Sequence, residues 1–108
     1  MNDPILPAES VTIDGQTWYT VEAVSVHLDC EPTTITSAYS RHIGIMEALS
    51  ILATVPGMSR IKRRLFNEEA VYQLILLSCT DRAFELRAMM LRRLQELQAA
   101  VGQAGGMA

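Results

Sequence analysis

The stretch Thr20-Val-Glu-Ala-Val-Ser-Val-His-Leu-Asp-Cys-Glu-Pro-Thr-Thr-Ile-Thr-Ser-Ala-Tyr-Ser-Arg-His42 decides how the chain is read. Its pattern predicts two short helices joined by a tight turn. Thr20 can cap the first helix, because its hydroxyl accepts a bond from an unpaired amide of the opening turn. Val21, Val24, Val26 and Leu28 are expected to form the apolar side of that helix. Asp29 stands where a left-handed residue is wanted, a conformation few non-glycine types tolerate. Pro32 suits the first turn of the second helix, where its missing amide costs little. Ile35 and Tyr39 are spaced to share the buried side. Thr33, Thr34, Ser37, Ser40, Arg41 and His42 then face outward. This is the pattern of a helix-turn-helix, whose second helix offers short polar and basic side chains to the DNA major groove. An ordinary helical hairpin with a polar face carries the same spacing.

The 108 residues suffice for one small core. Apolar residues make up 49% of the chain, which argues against disorder. No apolar run reaches the length of a membrane span, since Glu, Arg or Pro interrupts each one. The opening Met1-Asn-Asp-Pro lacks the basic-then-apolar order of a signal peptide, so a cytoplasmic location is expected. Cys30 and Cys79 are compatible with reduced thiols there and do not make a disulfide framework.

The net charge of −3 opposes nucleic-acid binding, but the charge is unevenly distributed. Before Arg41 the chain has no Lys or Arg and carries Asp3, Glu9, Asp14, Glu22, Asp29 and Glu31. Between Arg60 and Arg64 only Ile61 is not basic. Local potential decides what a surface attracts, although an acidic total predicts salt-sensitive binding unless a dimer doubles the basic surface.

Residues 1–10 have no periodic pattern and are expected to be a flexible lead-in. Val11 to Thr20 reads as a β-hairpin turning at Asp14-Gly15, with Trp18 or Tyr19 covering the core. Ile43 to Val55 fits a helical face and a strand face equally well. Pro56-Gly57 marks a turn, and Met58 to Phe66 alternates, so a second hairpin of about 49–55 and 59–66 is preferred. In that strand Arg60, Lys62 and Arg64 point one way, as the basic side of a wing that follows phosphates. A solvated strand face is the plain alternative. Asn67 caps a helix beginning Glu68-Glu69, apolar nearly all round and therefore expected to be the central buried one. Ser78 or Thr80 caps a last helix of about 81–101. There Met90, Leu94, Leu97 and Val101 form a short heptad-like seam, a dimer interface unless the rest of the fold wraps it. Residues 102–108 read as a flexible tail, or as a linker to a further domain.

His27, Cys30, His42 and Cys79 are the only His and Cys residues, and only the first pair is close, so a zinc site is not expected. No phosphate loop, nucleophile elbow or paired-His motif is present. Neither an enzyme nor a cofactor is expected.

Phe66-Asn-Glu-Glu-Ala-Val-Tyr-Gln-Leu-Ile-Leu-Leu-Ser78, followed by Ala83 and then Leu86-Arg87, resembles the second half of the Bro-N domain of phage antirepressor-like and large DNA virus proteins. Ile13 to Leu28 resembles that family's first strands and first helix. The likeness covers about residues 11–98, and the middle matches poorly. Asp29 stands where the family often has glycine, Met89 where it often has tryptophan, and its proline-containing exit is missing. The resemblance is that of a divergent member or relative. It implies a winged-helix-like DNA-binding module, commonly attached to other domains, and no enzyme.

The expected protein is therefore a small α+β winged helix-turn-helix-like domain over 11–101, with two β-hairpins and about four helices. It is expected to bind duplex DNA as a homodimer in a regulatory or antirepressor-like role. Thr34, Ser37, Ser40, Arg41 and His42 approach the major groove, and Arg60, Lys62 and Arg64 contact the backbone or minor groove. The alternative is a protein-interaction module that captures a repressor or host factor without touching DNA. The acidic first third and the apolar last helix favour that alternative.

Overall fold

The computed structural model describes residues 4–58 and 60–105, with side chains as far as residue 102. Strands β1 (Val11–Ile13) and β2 (Gln16–Thr20) form the first hairpin. Asp14 and Gly15 between them both have positive φ, 51° and 79°, the combination a two-residue turn needs to match strand twist. β2 runs straight into helix α1 (Val21–Leu28), because Thr20 is both the last strand residue and the helix cap: its Oγ1 accepts from the Ala23 amide at 3.0 Å. Asp29 ends α1 in the left-handed region, φ 56°. Helix α2 (Pro32–Arg41) follows after a three-residue turn.

The ambiguous stretch turns out to be helix and strand in succession. Helix α3 (Ile43–Met46) and a 3-10 turn (Glu47–Leu49) lead into β3 (Ser50–Ala53). Strand β4 (Arg63–Phe66) pairs antiparallel with β3 and also with β2, giving one sheet of order β1-β2-β4-β3. Pro56-Gly57 turns as expected, with Gly57 at φ 81° and the Met58 amide donating to the Val55 carbonyl at 3.0 Å. The strand expected from residue 59 begins only at Arg63, however; residues 54–58 and 60–62 belong to no strand, and Ser59 lies outside the described residues.

Helix α4 (Glu68–Leu77) is capped by Asn67, whose Oδ1 accepts from the Ala70 amide at 2.8 Å. Thr80, not Ser78, starts helix α5 (Asp81–Gly105): its Oγ1 accepts from the Ala83 amide and donates to the Leu28 carbonyl, tying α5 to the end of α1. Among the described residues the fold is thus α+β, with a four-stranded antiparallel sheet and five helices.

Strand alternation divides the core. Tyr19 and Phe66 face the helices and pack with Val24, Leu28, Ile35, Met46, Leu74, Ile75 and Leu86. Trp18, Leu65 and Val55 make a second cluster on the other face, supported by Val11, Ile13, Ile51 and Ala53. Val26 is 82% exposed, because it lies two residues from both Val24 and Leu28 and cannot share their side of a helix. Leu76 and Leu77 are exposed, since α4 is buried on one side only, through Ala70, Val71, Leu74 and Ile75. Part of the expected lead-in is packed: Ile5 and Pro7 are buried, and the Ile5 carbonyl accepts from His27 Nε2 at 2.7 Å, while residues 1–3 lie outside the described residues. Residues 102–105, expected in a tail, continue α5.

Arg87 closes the end of α4. Its Nε donates to the Ile75 carbonyl at 3.1 Å, and its Nη2 donates to the carbonyls of Leu76 and Ser78. The guanidinium also stacks 4.6 Å from the centre of the Phe84 ring. A last helical turn leaves carbonyls without intrahelical partners, and a planar fork of donors can reach several of them together. Arg87→Ala is expected to lower unfolding free energy by about 1–3 kcal/mol, with Arg87→Lys recovering only part of the loss. Urea midpoints for the three chains measure this.

Candidate nucleic-acid interface

The polar side of α2 arises from a short amphipathic pattern. Ile35 and Ala38 are buried and Tyr39 is half-buried, which turns Thr33, Thr34, Thr36, Ser37, Ser40 and Arg41 to solvent. His42 follows, exposed, as the residue that ends α2 and opens α3. Thr36, Ser37, Ser40 and Arg41 line one shallow depression. From Pro32 to Met46 the chain has no Asp or Glu, so this face carries no negative side chain of its own. Arg41 lies in the last turn, where a cation also suits the negative end of the helix dipole.

Arg64 joins this face to the second hairpin, though not as the expected outward wing cation. It is half-buried, its guanidinium sits 4.9 Å from the centre of the Tyr39 ring, and Nη1 donates to Ser50 Oγ at 3.3 Å. Cation–π stacking over a half-covered ring makes Arg64 a brace between α2 and β4. Arg63, on the opposite sheet face, pairs with Glu22 of α1 at 3.4 Å. Arg60 and Lys62 are exposed in the loop before β4 and are not set by strand alternation. Arg41, Arg60 and Lys62 have no carboxylate partner among the described residues.

The structure therefore brings Thr34, Ser37, Ser40, Arg41 and His42 onto one exposed segment, and separates Arg64 from Arg60 and Lys62 in role. Of the expected dimer seam, Met90 is half-buried against the core, whereas Leu94, Leu97 and Val101 are exposed. Among the described residues, no group of three or more His, Cys, Asp and Glu could hold a metal ion, and no helix is long and apolar enough to cross a membrane.

A groove on the far side of α1 was not anticipated from the sequence. It has a volume of about 830 Å³ and lies between the Pro7–Val11 segment, the outer side of α1 (Glu22, Ala23, Val26, His27) and Met58, with Arg63 and Arg82 at its border. The exposed Val26 was the available signal, because a valine pattern too wide for one buried stripe leaves apolar surface outside. His27 lies in this wall. Burial lowers its pKa below the usual 6.5, and the bond to Ile5 only partly offsets that; the nearby Arg82 lowers it further.

No family model, curated protein or solved structure matches this chain.

Because the folded pKa of His27 is depressed, the unfolded chain binds the extra proton first as pH falls. Stability attributable to His27 is fully present above about pH 6.5 and declines as pH drops toward the folded pKa. Thermal melts between neutral and mildly acidic pH should show this decline, and it should be smaller in His27→Gln.

Proposed function

We propose that this chain is a winged helix-turn-helix-like DNA-binding module of a regulatory or antirepressor-like protein, as its resemblance to the Bro-N domain implies. One observation carries the reading: α2 presents an exposed face of Thr34, Ser37, Ser40, Arg41 and His42 with no acidic residue from Pro32 to Met46, although the chain as a whole is acidic. Short hydroxyl side chains permit close approach to base edges, and an arginine at the helix end reaches a guanine edge or a phosphate. Arg64 then acts as the brace that holds α2 against the sheet, while Arg60 and Lys62 supply backbone contacts from the loop. Arg60 and Lys62 position the protein without reading sequence, whereas the α2 face reads it.

A second reading has its own support. The groove beside α1 and the exposed Val26 offer an apolar surface to a peptide segment, as a module that captures a repressor or host factor requires. Titration of labelled duplex at two salt concentrations separates the readings, since DNA affinity falls with salt in proportion to the phosphates neutralised. On the DNA reading, Arg60→Ala with Lys62→Ala weakens binding to all sequences and reduces the salt slope by about 1–2. Arg41→Ala additionally flattens the preference between duplexes. Absence of any shift with micromolar protein near physiological salt favours the capture reading.

A further inference from the structure

From Ser40 to Ile45 six consecutive residues are exposed, a run longer than one side of a packed helix gives. Helical bonds nevertheless continue through it. The His42 amide donates to the Ala38 carbonyl at 3.1 Å, and the His42 carbonyl accepts from the amides of Ile45 and Met46 at 3.1 and 2.9 Å. His42 itself, at φ −120° and ψ 36°, changes the direction of the chain between α2 and α3. The result is a projecting corner at the end of the polar face of α2, anchored on either side by the buried Ala38 and Met46. Two features of this corner are unexplained by packing. Ile43 and Ile45 are 49% and 57% exposed. Gly44 between them is not at a positive φ, and a methyl group there would meet nothing within 4 Å. Alanine suits a helical position better, so neither backbone conformation nor the packing of the domain calls for glycine.

We infer that this corner lies on the floor of the DNA major groove, with Ile43 and Ile45 against thymine 5-methyl groups and Gly44 admitting the chain to close approach. This rests on the DNA reading of α2, and names the base that the site selects. Charge chooses the occupant. Pro32 to Met46 has no carboxylate, Arg41 and His42 adjoin the isoleucines, and the first acid beyond, Glu47, belongs to the next turn. Such a segment attracts a polyanion, whereas an apolar partner would desolvate Arg41 without supplying a counter-charge. On the major-groove edge of duplex DNA the one apolar group is the thymine methyl. Serine and threonine hydroxyls donate or accept and so discriminate weakly, but apolar contact with a methyl sets thymine apart from the other bases. Glycine serves where a backbone must come close to its ligand.

The test uses the full 108-residue chain and two random-sequence duplex pools, one built with thymine and one with deoxyuridine in its place. Deoxyuridine keeps every hydrogen-bonding group of thymine and lacks only the methyl. Titration should show tighter binding to the thymine pool, by roughly threefold for each methyl contacted. The salt dependence should be the same for both, because the phosphates are unaltered. Ile43→Ala with Ile45→Ala should bind the two pools alike and keep the parent's salt slope. Gly44→Leu should melt no earlier than the parent, since leucine is the better helix former and has open space, yet bind the thymine pool roughly tenfold more weakly. Equal affinity of the parent for the two pools, a methyl preference that survives the double substitution, or undiminished binding by Gly44→Leu overturns the inference and leaves salt-dependent DNA binding standing. No binding to either pool at micromolar protein overturns the DNA reading together with it.

Discussion

Two residue pairs, Tyr19 with Phe66 and Thr20 with Leu65, hold this fold together. They join hairpins that are distant in sequence into one sheet, and both β4 residues are fully buried, one on each face. The register has little freedom. A slip by one residue would exchange Phe66 and Leu65 between faces, sending the aromatic away from the helices and a leucine into its place. The consequences extend to both ends of the pairing. Thr20, held in the sheet, is also the cap of α1, so the start of the helical pair is fixed by a strand. Asn67, one residue beyond the pairing, caps α4 and donates its amide to Leu49.

The same pairing explains why few of the cations near the second hairpin are equivalent. Once β4 is an inner strand, alternation sends Arg64 toward the helices and Arg63 toward α1's acidic side chain. Each then has a local partner and a structural task. Arg60 and Lys62, just before the strand, remain in solvent. What distinguishes α2 is the absence of acids over fifteen consecutive residues, Pro32 to Met46, in a molecule with net charge −3. Nearby carboxylates would cancel an isolated arginine, and this segment supplies none to Arg41.

Helix α5 shows how one periodic pattern meets two environments. Its stripe is continuous in sequence, but the core it faces is short. Arg87 lies near the changeover: it closes the end of α4 and stacks on Phe84, and Met89 and Met90 make the last core contacts before the helix leaves the body. Exposed leucines beyond this point add nothing to the core, and they leave apolar surface in water.

Local chemistry alone determined much of this protein. Asp14-Gly15, Thr20, Asp29, Pro32, Asn67 and Thr80 specify turns and helix ends through their own dihedral preferences and hydroxyl or amide groups, which act within three or four residues. The outward face of α2 followed in the same way from the positions of Ile35 and Tyr39. Tertiary structure decided what depends on distant neighbours. Whether 43–55 was helix or strand turned on β4 being available to pair with Ser50 to Ala53. Arg64 became a brace because Tyr39, far away in sequence, came to lie beneath it, and Ile5 was buried because it joined the apolar core, with its carbonyl bonded to His27 of α1. Val26 faces a groove, and Leu94 faces solvent, for one reason. Periodicity states which residues share a side of a helix, and only the packed chain states how far the core beneath that side extends.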